Sequence, residues 1–184
     1  MNEWRSLNET FGGTSIYNAG YQFFEDDEAF ELKYFLEKWP IAGTPAEPGK
    51  FYEGLWKGDC AEFWIYSPTA GKYLEFNLGP NGAWWTCIFT GPRVRFLEIL
   101  PPECETASAE IDGVGWSASI RIPKEEVYRC LGTLDDLTGN VTLLTDGCPD
   151  VDYPPQNLHT VVKLKEVDFH RPQDWVPLSE LKTQ

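Results

Sequence analysis

The run Cys60-Ala61-Glu62-Phe63-Trp64-Ile65-Tyr66, followed by Ser67-Pro68-Thr69-Ala70-Gly71 and then Lys72-Tyr73-Leu74-Glu75-Phe76-Asn77-Leu78, decides how this chain folds. Proline and glycine in the middle segment mark a turn, and the flanking runs alternate between apolar and other side chains with a period of two. They are read as a β-hairpin. Parity sets its register: Ala61, Phe63 and Ile65 must share a face with Leu74, Phe76 and Leu78, because a slip of one residue would turn carboxylates into the core. Phe63 then pairs with Phe76 and Ile65 with Leu74. On the second face Glu62 stands opposite Asn77, Trp64 opposite Glu75, and Tyr66 opposite Tyr73.

Outward from the hairpin the same punctuation recurs. Residues 30–37 place Phe30, Leu32, Tyr34 and Leu36 on one side and mostly charges on the other, the pattern of a strand with one wet face. Residues 41–50 contain Pro45, Pro48, Gly43 and Gly49 and are read as a loop, since proline removes ladder donors. Further strands are expected at 84–89, 93–97, 116–122, 140–144 and 157–164. Only 124–131, which follows Pro123 and ends at Gly132, carries helix start and stop signals. The tail 170–177 is broken by two prolines and is expected over the edge of the fold. Eight or more strands with short connections imply an all-β fold, a single antiparallel β-sandwich of jelly-roll or immunoglobulin-like type. One domain is expected over 1–184, with its core at about 16–180 and an N-terminal arm at 1–15.

Composition narrows the function classes. The chain has 184 residues, 42% of them hydrophobic and 24% charged, which is too rich in core formers for disorder and too interrupted for a membrane protein. Its 15 Lys and Arg against 29 Asp and Glu leave a formal charge of −14, so nucleic acid and anionic membranes are excluded as partners. The start, Met1-Asn2-Glu3-Trp4-Arg5-Ser6, lacks a basic lead and an apolar segment; cytoplasmic residence is the expectation, or secretion if a preceding segment has been removed. Cys60, Cys87, Cys104, Cys130 and Cys148 are odd in number and form no CxxC, so reduced, mostly buried thiols are expected.

The second hairpin face carries the chemistry. Sugars present apolar C–H faces and hydroxyl rims, and proteins meet them with flat aromatic rings among carboxylates, amides and arginines. Glu62, Trp64, Tyr66, Tyr73, Glu75 and Asn77 project together, with Trp56 upstream and Trp84-Trp85 downstream. The plain structural alternative makes these aromatics core, and Trp64 and Trp116 are read that way. Two buried carboxylates without partners would be costly, so a face holding Glu62 and Glu75 is read as wet or ligand-filled.

The stretches 55–65 (Leu55-Trp56-Lys57-Gly58-Asp59-Cys60-Ala61-Glu62-Phe63-Trp64-Ile65) and 73–82 (from Tyr73-Leu74-Glu75-Phe76-Asn77 to Gly82) resemble the core signature of carbohydrate-binding module family 9 and its DOMON-like relatives. Gly115-Trp116 through Pro123 and Phe169-His170 through Leu178 fit the same pattern. The resemblance implies non-catalytic binding of a saccharide, with Trp56 as an aromatic wall and Glu62, Glu75 and Asn77 as hydroxyl-binding groups. Trp84 or Trp85 is an added platform, and Arg93 or Arg95 a further donor. Characterised members clamp the sugar with a second tryptophan from late in the chain; that region offers Tyr153, His159 and Trp175, none matching the pattern, and Trp175 is read as core.

Some relatives hold structural calcium, and 146–152 is acidic, but it lacks EF-hand spacing and is read as a solvated turn, so no cofactor is expected. Haem needs axial ligands, and with Met1 the only methionine it is not expected. The two histidines, His159 and His170, are read as surface or hydrogen-bonded structural residues.

Two other function classes remain open. A glycoside hydrolase would use Glu62 and Glu75 as acid and nucleophile or base. A protein-interaction domain would dock another chain on the aromatic face or form a homodimer. No serine-hydrolase, zinc or phosphate-loop motif occurs.

Overall fold

A computed structural model of the chain describes residues 3–39, 46–148 and 154–183. In chain order the strands are β1 (Arg5–Ser6), β2 (Glu9–Thr10), β3 (Gly13–Thr14), β4 (Ala19–Glu25), β5 (Ala29–Leu36), β6 (Cys60–Ser67), β7 (Lys72–Leu78), β8 (Trp84–Gly91), β9 (Val94–Arg95), β10 (Glu105–Ile111), β11 (Gly115–Pro123), β12 (Thr138–Thr145), β13 (Asn157–Thr160) and β14 (Val176–Pro177). The helices are α1 (Lys124–Leu131) and α2 (Leu178–Leu181). Two antiparallel sheets form: one ordered β1-β4-β5-β11-β10, the other β3-β2-β13-β12-β6-β7-β8-β9, with β14 added at β12. This is an all-β sandwich.

The hairpin register is the one parity required. Ala61 pairs with Leu78, Phe63 with Phe76 and Ile65 with Leu74, and on the other face Glu62 meets Asn77, Trp64 meets Glu75 and Tyr66 meets Tyr73. The inward set packs against the second sheet: the Phe23 and Phe63 rings lie 5.2 Å apart, and the Tyr34 hydroxyl donates to the Glu62 carbonyl at 2.8 Å. A single contiguous core runs from Leu7 to Leu181. Helix α1 stops where Gly132 takes a left-handed φ of 74° and its N–H returns to the Tyr128 carbonyl at 2.7 Å.

Several expectations change. Residues 5–14, expected as an arm, contribute β1 to one sheet and β2 and β3 to the other, and Leu7 is buried. Strands β4 and β10 were not expected, while 93–97 and 157–164 shrink to β9 and β13. Much of the loop at 41–50 and of the acidic stretch at 146–152 lies outside the described residues. Asp146, at the start of that stretch, is committed elsewhere: it accepts from Tyr17 and Asn157 at 3.1 and 2.6 Å and lies 3.3 Å from the Lys38 ammonium, which also meets Asp59 at 2.9 Å. The five cysteines are free thiols, with Cys60, Cys87 and Cys130 buried.

Candidate functional site

The second face of the β6–β7–β8 sheet is divided between core and pocket. One part is roofed by the C-terminal segment. The Trp64 ring lies 5.6 Å from Trp175, 5.0 Å from the His170 imidazole and 6.4 Å from Phe169, while Tyr73 stacks on Phe89 at 4.8 Å. Trp64 is therefore buried, as is Trp116 on the other sheet. The remaining part opens as a pocket of about 460 Å³, a size suited to a small ligand.

Its floor comes from the hairpin and β8: Glu62, Trp64, Glu75, Trp85 and Phe89. Trp56 stands at one side on a 3-10 turn, Leu55–Lys57. The turn begins at Gly54, whose φ of 104° is left-handed backbone that a side chain would strain. The Trp56 and Trp85 rings meet at 4.9 Å and 62°, so the two indoles form a corner and not a parallel clamp. The Arg95 guanidinium lies 5.2 Å from the centre of the Trp85 ring and pairs with Glu53 at 2.7 Å. Arg93 makes two 2.8 Å bonds to Asp168, tying the β8–β9 end to the late segment 166–171.

The acids are buried. Glu62 Oε2 accepts from the Thr142 hydroxyl at 2.8 Å, and that hydroxyl in turn accepts the Trp64 indole N–H at 2.9 Å. Glu62 Oε1 has no hydrogen-bond partner among the described residues. Glu75 Oε1 accepts from the Asn77 amide at 3.1 Å, and its Oε2 lies 3.9 Å from His170 Nε2. Burial pushes the Glu75 carboxyl up to about 8; burial and then the repulsion of Glu75 push Glu62 up as well. His170 goes the other way, held down to about 4 by burial and by the Arg93 charge, with its Nδ1 2.6 Å from the Tyr73 hydroxyl. Burial thus favours the protonated form of both carboxyls and the neutral form of the imidazole beside them.

Of the residues singled out in the sequence, Trp56, Glu62, Glu75 and Arg95 converge on the pocket. Asn77 does not line it; it is fully buried behind Glu75, where it orients that carboxyl and leaves its own Oδ1 unpartnered. Trp84 points elsewhere. It pairs with Leu78, so it shares the parity of the core face, and it packs edge-on against Phe51 at 5.0 Å. Trp85, opposite Asn77, takes the pocket position.

The late wall is also not where it was sought. His159 is buried with Nδ1 2.8 Å from the Leu7 carbonyl, Trp175 is core, and Tyr153 lies outside the described residues. Val167, Asp168, Phe169 and His170 supply that wall. Trp85 was reachable from parity once 84–89 was a strand; nothing local in 166–170 marks those residues as pocket-lining. Among the described residues, no group of three or more His, Cys, Asp or Glu is placed to hold a metal ion.

No family model and no curated protein matches this sequence. Among solved structures, a Bacteroides uniformis protein inferred to bind carbohydrate superposes with a TM-score of 0.70 at 15% identity, covering 95% of this chain and 84% of that one. A carbohydrate-binding module of family 9 from Caldicellulosiruptor kristjanssonii, in complex with glucose, gives a TM-score of 0.59 at 11% identity over 95% of this chain and 82% of that one. A second such structure, with cellotriose, gives 0.56 at 12% identity over 88% and 73%. The sandwich is the fold of carbohydrate-binding modules of this type.

Proposed function

We propose that this protein is a non-catalytic carbohydrate-binding module whose ligand occupies the pocket between Trp56 and the 166–170 wall. The observation that carries the reading is the pocket's make-up: an indole corner beside two buried carboxyls, with guanidinium groups at the rim. A pyranose would lay a C–H face on Trp56, the ring with the freer surface, since Trp85 already carries Arg95. Glu62 Oε1 has no partner to give up among the described residues, and Glu75 is held in place by Asn77; burial favours the protonated form of both, and a protonated carboxyl can both donate to and accept from a hydroxyl. The fold neighbours solved with glucose and cellotriose favour a saccharide as the ligand class.

The same electrostatics argue against hydrolysis. A glycosidase divides its labour between a protonated acid and an ionised nucleophile or base, whose environments push their pKa values apart. Here both acids are pushed up by burial, and neither has a lysine or arginine in ion-pair contact among the described residues. Tryptophan fluorescence titration with glucose and cellotriose tests the proposal. Saturable quenching or shift is expected, weakened about tenfold or more in Trp56→Ala, a loss equivalent to about 1.4 kcal/mol. Release of reducing ends from oligosaccharide that Glu62→Gln abolishes would overturn the non-catalytic reading.

A further inference from the structure

We infer that the pocket prefers a saccharide bearing a primary amine, a glucosamine-type residue, with the ammonium seated between the Glu62 and Glu75 carboxyls; this rests on the sugar-binding reading above. Glu62 stands opposite Asn77, and Glu75 lies two residues along on the same face, so the acids are diagonal neighbours whose backbones sit roughly 7–8 Å apart. Two carboxyls reaching from those positions into one pocket can grip a single cation. Glu62 is 3% exposed, faces the pocket and leaves Oε1 without a hydrogen-bond partner among the described residues.

Every other charge at the site is already matched. Arg93 is taken up by Asp168 and Arg95 by Glu53. Among the described residues His170 is the one basic group within 4 Å of either acid, 3.9 Å from Glu75, and burial disfavours its charged form, while Arg93 and Arg95 act on Glu75 only from farther off. The acid pair thus has no lysine or arginine in ion-pair contact among the described residues, and buried carboxyls without such a counter-cation are costly to ionise. An arriving ammonium reverses that balance: a carboxylic acid gives its proton to solvent and the carboxylate pairs with the ligand. At long range the net charge of −14 draws cations in.

Titration calorimetry of the whole chain near neutral pH, with glucose, glucosamine and N-acetylglucosamine, each in two buffers of different ionisation heat, tests this. Glucosamine is expected to bind at least tenfold more tightly than the other two and to release protons, seen as a buffer-dependent heat that glucose lacks. In the Glu62→Gln/Glu75→Gln double variant the glucosamine-to-glucose affinity ratio should fall to about one, whatever the absolute affinities; the buffer experiment on the unmodified chain stands if that variant does not fold. Glucosamine binding no tighter than glucose, or a ratio that survives in the double variant, overturns the inference and leaves the sugar-binding reading intact. Binding of none of the three overturns both.

Discussion

Glu75 and His170 face each other across 3.9 Å and are displaced from their ordinary values in opposite directions, the carboxyl up to about 8 and the imidazole down to about 4. The consequences for stability follow from linkage. The folded state holds the Glu75 proton more tightly than the unfolded chain does, so that contribution is complete below the carboxylate's ordinary 4.5 and is lost as pH rises through 8. His170 is the reverse: its contribution is complete above the ordinary 6.5 and is lost as pH falls toward 4. Glu62 carries the same sign as Glu75. Glu75→Gln keeps the shape and removes the charge, so its melting temperature should fall less than that of the unmodified chain between pH 6 and 9. The expected difference at the alkaline end is about 3 °C or more, since about 1 kcal/mol moves a chain of this length by roughly 2–4 °C. Parallel alkaline declines, followed by scanning fluorimetry, would show that Glu75 ionises freely in the fold.

Among the elements, the C-terminal segment decides how much of the sheet face is roofed and how much is open. Trp175 closes the covered half, with its ring 5.6 Å from Trp64 and 5.5 Å from Tyr73. Trp175→Ala should cost about 3–5 kcal/mol, the usual range for emptying a buried tryptophan site, read from the urea midpoint; a loss under about 1 kcal/mol would mean that the roof does not hold the face. This division also explains what the sequence could reveal. The β6–β7 register was legible because burying one face makes parity decisive, and α1 because Pro123 and Gly132 bracket it. Strand β10 was not: Glu105–Ile111 is an edge strand of small and charged residues exposed along most of its length, with no apolar side to alternate. Strand β4 was hidden for the opposite reason, since five consecutive buried residues blur the period of two. Trp56, Glu62 and Glu75 were legible as site residues because one hairpin and its flank bring them together. Phe169 and His170 were not, because an irregular segment reaches the pocket only through long-range packing on Trp64 and Tyr73.

For the whole molecule, the pocket draws on segments from Trp56 to His170, and the charge around it belongs to no single segment. A net charge of −14 sets up a negative field that salt screens over about 10 Å at 0.1 M. Arg93 and Arg95 are the cationic groups at the pocket, and their pairing with Asp168 and Glu53 cancels their charge locally, so the arginines do not make the site a receptor for anions. A guanidinium shared with a carboxylate still offers outward N–H groups to a neutral hydroxyl, but a uronate would have to displace that carboxylate while approaching against the net field. Oligogalacturonate is therefore expected to bind more weakly than cellotriose at low ionic strength, by about tenfold, with the gap narrowing as salt is added. Competition against cellotriose-dependent tryptophan fluorescence, run at low and at high salt, measures both terms. Tighter binding of the uronate at low salt, weakening as salt rises, would mean that Arg93 or Arg95 leaves its carboxylate for the ligand and that local pairing, not net charge, governs what the pocket admits.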